Sequence, residues 1–385
     1  SSTPSARTSS SRSRSGVGRN LGTRDYLANP GPVPSGTLTQ LFFEAIDRFG
    51  SKTVFRTIHP DGFREFSYGQ VLAGVRAVAG GLSTLGIRRG DRVAIVSENR
   101  PEWSLIDYGT LCVGAPLVPI HTTLTAPQIG YILQDSGAKA IFFSSQEQYE
   151  KARDAAGGCP WPLELVALEP LEEGSPGVWS WEDFFRAGQA RADEETDEEF
   201  REEALSVAPD DPATIIYTSG TTGDPKGVVL SHGNIFSNVK ATEMHVRVDD
   251  ADSTLNFLPL SHIFQRMVDF YMFSAGATIT YARSLKTVAE DLRKCRPTKV
   301  AGAPRVYEKF YQAVLDQPGW RGLLVRWARE VGEAWAQETL AGRKPTWVLR
   351  GVHRLAHLLV FRKMHEAVGG RLVFFFSGSA PLAPH

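Results

Sequence analysis

The chain has 385 residues, of which 42% are hydrophobic and 22% charged, and its net charge is −1. That is the composition of an ordinary globular protein of two or three structural units, with no global basic field to hold nucleic acid. Three widely spaced cysteines, Cys112, Cys159 and Cys295, form neither a disulfide framework nor a zinc spacing and read as reduced thiols of a cytoplasmic compartment, and no apolar run reaches the roughly 18 residues expected of a membrane-spanning helix.

Residues 1–24 carry Arg7, Arg12, Arg14, Arg19 and Arg24 among many serines, with no acid before Asp25. Without an amphipathic apolar face they read as a disordered tail, residues 1–35 in the domain layout; an organelle transit peptide has the same bias and is the alternative. Helical spacing of apolar residues begins at Thr37–Gly50, with Gly50 suited to end the helix. "KTVFRT" and "REFSY" are short strands. "DRVAIVSE" (Asp91–Glu98), "GAPLVPI" (Gly114–Ile120) and "AKAIFFSS" (Ala138–Ser145) are further strands, separated by helices near 103–113 and 127–135. Strands alternating with helices predict βαβ units and a mainly parallel sheet.

The acidic run Asp193–Glu203 lacks the alternating oxygen ligands and glycine of a calcium loop. It reads as a solvated helix or linker and marks an expected boundary between a first α/β subdomain, residues 36–205, and a second, residues 206–385. In the second unit, strands are expected at "ATIIYTS", "KGVVLSH", "STLNFLPLSH", "GATITYA" (Gly276–Ala282), "TKVAGAP" (Thr298–Pro304) and "RLVFFFSGSAPL" (Arg371–Leu382), with a helix from about Gly233. Between Pro304 and Gly370 the pattern is helical. Residues 342–372 combine Arg343, Lys344, Arg350, Arg354, Arg362, Lys363 and Arg371 with interleaved apolar residues and one acid, Glu366. Such a helix either packs on the core or lies on an anionic membrane surface. His353 and His357, one helical turn apart, would need Glu at 354 to match a zinc-protease motif; Arg354 stands there.

"YTSGTTGDPKG" (Tyr217–Gly227) is the densest signal. A strand followed by a turn rich in Gly, Ser and Thr exposes backbone N–H groups and hydroxyls, and glycines let the backbone approach a ligand. Lys226 adds a compact positive charge, so the fitting guest is a di- or triphosphate. A Walker loop is excluded: counting from Gly220, Pro225 occupies the second-glycine position and Gly227 replaces Ser or Thr after the lysine. A plain polar hairpin would not need so many hydroxyls.

With "LSHGN" after it, this stretch resembles the signature phosphate loop of the adenylate-forming superfamily, which includes acyl-CoA synthetases, luciferases and peptide-synthetase adenylation domains. "FLPLSHIFQR" (Phe257–Arg266) resembles that family's second core motif, "GAPRVYEKF" (Gly302–Phe310) a stretch of long-chain fatty acyl-CoA synthetases, and "SGSAPL" (Ser377–Leu382) its adenine-contacting turn. The resemblance spans about residues 36–385. It implies an α/β fold: the large N-terminal domain of the adenylate-forming enzymes, two stacked α/β subdomains with mainly parallel sheets, without the C-terminal domain.

The function implied is ATP-dependent activation of a long-chain fatty acid to an acyl-adenylate, then to acyl-CoA, with release of pyrophosphate and AMP. ATP, Mg²⁺ and coenzyme A are the implied cofactors and co-substrates. By resemblance, Ser219, Gly220, Thr221, Thr222, Gly223 and Lys226 hold the β- and γ-phosphates, and Thr218 contacts phosphate or Mg²⁺. His262 faces the carboxylate and α-phosphate, and Gly378, Ser379, Ala380 and Pro381 line the adenine. Lys226 and His262 are the implied catalytic pair, with a satisfied core histidine as the alternative for His262. Arg305 and Glu308 read as a helix-surface pair. The family's Tyr-Gly-x-Thr-Glu turn, ribose-binding Asp and mobile C-terminal domain are not in this sequence, so the segment is expected to be catalytically incomplete alone. Two other readings stand beside this one: a non-enzymatic nucleotide- or acyl-binding relative, and adenylation of another carboxylic acid for a carrier-protein thiol. The motifs set neither acyl chain length nor oligomeric state.

Overall fold

The computed structural model describes residues 33–172, 175–218, 224–315, 318–378 and 380. The chain opens with α1 (Leu38–Phe49), capped by the Thr37 hydroxyl and closed at Gly50, as its pattern predicts. There follow β1 (Thr53–His59), β2 (Gly62–Ser67), α2 (Tyr68–Thr84), β3 (Arg92–Val96), α3 (Pro101–Val113), β4 (Leu117–Ile120), α4 (Ala126–Ser136), β5 (Ala138–Phe143), α5 (Gln146–Ala156), β6 (Glu164–Ala167), β7 (Val178–Ser180), α6 (Trp181–Ala192) and α7 (Asp197–Leu205). The second half brings β8 (Pro212–Thr218), β9 (Lys226–Ser231), α8 (His232–His245), β10 (Ser253–Asn256), α9 (Ile263–Ser274), β11 (Thr278–Tyr281), α10 (Val288–Cys295) and β12 (Lys299–Gly302). Then come α11 (Pro304–Leu315), α12 (Gly319–Leu340), α13 (Trp347–Ala356), a π-helical turn at His357–Phe361, α14 (Arg362–Ala367) and β13 (Phe374–Ser377).

Two sheets form. The first has the order β7-β6-β5-β3-β4-β8-β9, parallel except for the β8–β9 hairpin. The second has the order β13-β12-β10-β11-β1-β2, parallel except for the β1–β2 hairpin. This is the α/β class with mainly parallel sheets. Sheet membership, however, crosses the boundary expected near residue 205. β1 and β2 come from the first half and pair beside β11, while β8 and β9 come from the second half and pair beside β4. The acidic segment forms α7, with a capping box between Thr196 and Glu199, and is no seam between sheets.

Aromatic packing explains the exchange. Phe42 of α1, Phe55 of β1 and Tyr108 of α3 all meet Phe273 of α9, with ring centroids 5.6, 5.9 and 4.8 Å away. One apolar core therefore runs from Leu38 to Ala301 across both sheets. Within it, Arg266 of α9 is paired with Asp107 of α3, Nε lying 2.7 Å from Oδ2, with side chains only 1% and 4% exposed. The helices α11–α14 stand apart from this core. Their own small cluster is built on Ala328, Val331, Ala356 and Val360.

Candidate functional site

The stretches singled out in the sequence, together with Asn99 and His121, follow the carboxyl ends of parallel strands. In the first sheet, Asn99 follows β3, His121 follows β4 and the phosphate loop follows β8. In the second, Phe257–His262 follows β10, Ala303 follows β12 and Gly378 follows β13. Ligand sites of open α/β sheets lie at this edge, where loops leave strands whose backbone groups are already paired.

Thr218 and Lys226 are cross-strand partners at the loop end of the β8–β9 hairpin, and both are exposed. The loop thus links two strands, as its sequence pattern predicts, with no helix after the lysine. Ser219, Gly220, Thr221, Thr222 and Gly223 lie outside the described residues, as do Ser379 and Pro381. The strand end is moored by the Tyr217 hydroxyl, which donates to Asp135 Oδ2 of α4 at 2.6 Å. Behind the hairpin, His232 is fully buried at the start of α8. Its Nδ1 accepts from the Leu38 N–H at 3.3 Å, and burial lowers its pKa to about 4.

His262 is the N-cap of α9 and is exposed, not a core histidine. Its Nδ1 accepts from the Phe264 N–H at 3.3 Å, which puts the proton of the neutral ring on Nε2. The turn bearing it is clamped from the other sheet. Asn99 donates from Nδ2 to the Leu258 carbonyl at 2.6 Å and to Asn256 Oδ1 at 3.0 Å, and accepts from the Leu260 N–H at 2.9 Å. Asn256 in turn donates to Asp269 Oδ1 at 2.5 Å. Asp269 is held neutral: burial, with a smaller contribution from the nearby Asp107 charge, pushes its carboxyl up to about 8. Asn99 and Asp269 were not picked out from sequence. The available signal was a polar residue just past the buried strand "RVAIV" and a lone acid on an apolar helix.

The three stretches after the second sheet's strands come together. A Cβ on Gly378 would stand 2.1 Å from Phe264 Cε2, so only glycine lets this turn close against the start of α9. Tyr307, within "GAPRVYEKF", donates to the Phe376 carbonyl at 2.6 Å, and the Gly378 N–H reaches the Gly302 carbonyl at 3.4 Å. Ala380 is exposed. Arg305 and Glu308 are both exposed on α11, but among the described residues they form no ion pair, so that expected pairing is corrected. A groove of about 1580 Å³ opens beside Ser377 and runs between β13 and the helices α10, α11, α12, the π-helical turn and α14, lined by Tyr307, Tyr311, Leu324, Val360, Phe361 and Phe374 among others.

No group of three or more His, Cys, Asp or Glu that would hold a metal is gathered among the described residues. Thr218 offers one hydroxyl, which falls short of the carboxylate and phosphate oxygens magnesium prefers, so the described residues do not by themselves make a magnesium site. His353 stacks on Trp335, centroids 4.2 Å apart. No described helix is long and apolar enough to cross a membrane.

Long-chain-fatty-acid–CoA ligase ACSBG2 of Xenopus laevis is 31% identical over 365 residues, covering 91% of this chain and 48% of that protein. Long-chain-fatty-acid–CoA ligase FadD15 of Mycobacterium tuberculosis is 32% identical over 312 residues, covering 80% of this chain and 50% of that protein. The chain thus spans about half the length of the curated relatives it matches. In structure it is similar to the inhibitor-bound N-terminal domain of FACL13 from Mycobacterium tuberculosis, with a TM-score of 0.62 at 21% identity, covering 91% of this chain and 71% of that one. A long-chain-fatty-acid-CoA ligase, FadD1, from Archaeoglobus fulgidus gives a TM-score of 0.62 at 21% identity over 74% of this chain and 55% of that one. These structural likenesses establish the fold. The profile of the AMP-binding enzymes matches residues 42–385, nearly the whole of the described fold and every stretch built around the two strand edges, and the chain belongs to the AMP-binding enzyme family.

Proposed function

We propose that the protein to which this chain belongs activates a long-chain fatty acid with ATP, forming an acyl-adenylate and then acyl-CoA. The observation that carries this reading is the meeting of the two carboxyl edges. The Thr218–Lys226 hairpin end follows one sheet, the His262 turn follows the other, Asn99 bonds across between them, and a large apolar groove begins at Ser377. The groove exceeds the ~300–1,000 Å³ of ordinary small-ligand pockets, which suits a long acyl chain.

In this reading a carboxylate oxygen of the fatty acid attacks the α-phosphorus of ATP. The bond from that phosphorus to the bridging oxygen breaks, and pyrophosphate leaves with the electron pair. Lys226 and the loop N–H groups neutralise the β- and γ-phosphates, while the Nε2–H of His262 donates to an oxygen at the reacting centre. Magnesium, when bound, would offset further phosphate charge. The coenzyme A thiolate then attacks the acyl carbon and AMP departs, leaving a thioester. The test is palmitate-driven exchange of labelled pyrophosphate into ATP, run on this chain and on a version carried to the end of its natural reading frame. Exchange in the longer protein, weakened in Lys226→Ala, supports adenylation. Its absence, with nucleotide or acyl binding kept, moves the reading to a binding protein; exchange with a different acid moves it to adenylation of another carboxylic acid.

The same reading includes peripheral contact with an anionic membrane through residues 342–372. On α13 and the turn after it, Trp347, Val348, Leu355 and Leu358 are 80, 50, 49 and 57% exposed. Arg350, Arg354, Arg362 and Lys363 lie among them. Apolar residues flanked by cations are what an interfacial helix presents to lipid.

A further inference from the structure

His121 carries a role that neither the sequence motifs nor the family match assigns. It is the first residue after β4, and β4 runs parallel to β8 with Leu117 opposite Thr214. Thr218 is the last residue of this neighbouring parallel strand β8, at the entry to the phosphate loop. The segment after it is firmly held: the Leu124 N–H donates to the His121 carbonyl at 3.0 Å, while Gln148 Nε2 and Lys151 Nζ both donate to the Thr122 carbonyl at 3.1 Å. The ring is held too. The Thr123 N–H donates to His121 Nδ1 at 3.3 Å, with the Thr123 hydroxyl 2.8 Å from the same nitrogen. A nitrogen that accepts from a backbone N–H is unprotonated, so the neutral ring carries its proton on Nε2.

His262 repeats this design on the opposite sheet, its Nδ1 accepting from the N–H two residues on. Burial lowers the pKa of His121 first, and the nearby His262 lowers it further. Each ring, held by a backbone N–H at Nδ1, thus offers Nε2–H in its neutral form, and the two follow the carboxyl ends of strands in opposite sheets.

We propose that His121 is a second imidazole of the reacting centre, its Nε2–H donating to a non-bridging oxygen on the α-phosphorus opposite the donor supplied by His262. The inference rests on the adenylation reading and deepens it. No proton moves: the phosphorus exchanges its pyrophosphate oxygen for a carboxylate oxygen, while both imidazoles remain neutral donors to the charge that builds on the non-bridging oxygens.

Three substitutions separate this role from a merely structural one. The amide nitrogen of Gln reaches the place of Nε2, whereas the amide oxygen of Asn takes the place of Nδ1 and keeps the bond to the Thr123 N–H. On the protein carried through its reading frame, palmitate-driven ATP–pyrophosphate exchange is expected to fall about 10- to 100-fold in His121→Ala and His121→Asn, with the KM for palmitate little changed. It stays within about threefold of the parent in His121→Gln. Activity kept in His121→Asn and lost in His121→Gln would reduce His121 to a prop for its turn, and unchanged activity in all three would also overturn the proposal. If the parent shows no exchange, the adenylation reading fails by itself, and calorimetry with AMP decides on His121. Binding weakened in Ala and Asn but kept in Gln supports the donor role. Equal binding by all, or none by the parent, removes it.

Discussion

The frame beneath the cleft and the helical region α11–α14 are built in opposite ways. In the frame, charged and polar groups are buried or half-buried and paired: Arg266 with Asp107, Asp269 with Asn256, Asn99 with three groups of the His262 turn. In the helical region, four small or aliphatic side chains form the buried cluster while Trp320, Trp347 and Leu358 face outward at 70, 80 and 57% exposure. Buried hydrogen-bonded networks fix geometry because every displaced group would lose a partner that water cannot replace. A thin apolar cluster with apolar residues left outside fixes little and presents a surface. The contrast suits the frame to positioning and fits the proposal that the helices meet acyl chains or lipid.

The sharpest way to break that contrast is to remove one buried charge. Arg266→Ala leaves the Asp107 carboxylate buried and unpaired, and burial already opposes its charge. It is expected to cost about 3–5 kcal/mol, whereas Trp347→Ala on the exposed face should change stability by less than about 0.5 kcal/mol. Urea unfolding of both variants measures the difference, and equal effects would erase the comparison.

Next in size is the pH dependence set by Asp269. Its folded pKa is raised to about 8, so between the ~4 of an unfolded aspartate and about 8 the folded state binds more protons than the unfolded one. Stability on this account falls as pH rises across that window. Asp269→Asn keeps the Oδ1 acceptor and cannot ionise, so the melting temperature of the variant relative to the parent should climb from pH 5 to pH 8. A gap that stays flat with pH would mean that Asp269 does not titrate there.

Asn99→Ala removes three hydrogen bonds and should cost about 1–3 kcal/mol. If the clamp positions His262, pyrophosphate exchange should fall through kcat more than through the KM for palmitate. The smallest stability effect belongs to the helical region. Neutralising Arg350, Arg354, Arg362 and Lys363 to Gln should leave stability within about 0.5 kcal/mol yet reduce co-sedimentation with vesicles containing phosphatidylserine. Unchanged sedimentation would remove the membrane reading.

Much of this architecture is legible in the residues. The amphipathic spacing of Thr37–Gly50, the β-branched runs before each glycine-rich turn, and the failure of a Walker reading at Pro225 and Gly227 all lead to strands with functional loops at their ends. Which sheet each strand joins is not legible, because it depends on aromatic rings such as Phe42, Phe55 and Phe273 meeting from distant parts of the chain. His121 and Asn99 escaped for a related reason. Each is one polar residue among several just past an apolar strand, and its meaning comes from a neighbouring segment, β8 for His121 and the turn after β10 for Asn99. The groove beside Ser377 is likewise a product of how helices pack, which is why acyl length has no motif.

The central claim is that the phosphate-loop edge of one sheet and the His262 edge of the other form a single site. A double-mutant cycle tests it most directly: pyrophosphate exchange measured for Lys226→Ala, His262→Ala and the pair, in the protein carried through its reading frame. Groups that act together on one transition state lose activity non-additively, so the double variant is expected to be little worse than the poorer single one. Losses that simply multiply would contradict the account and leave the two edges as separate features of the fold.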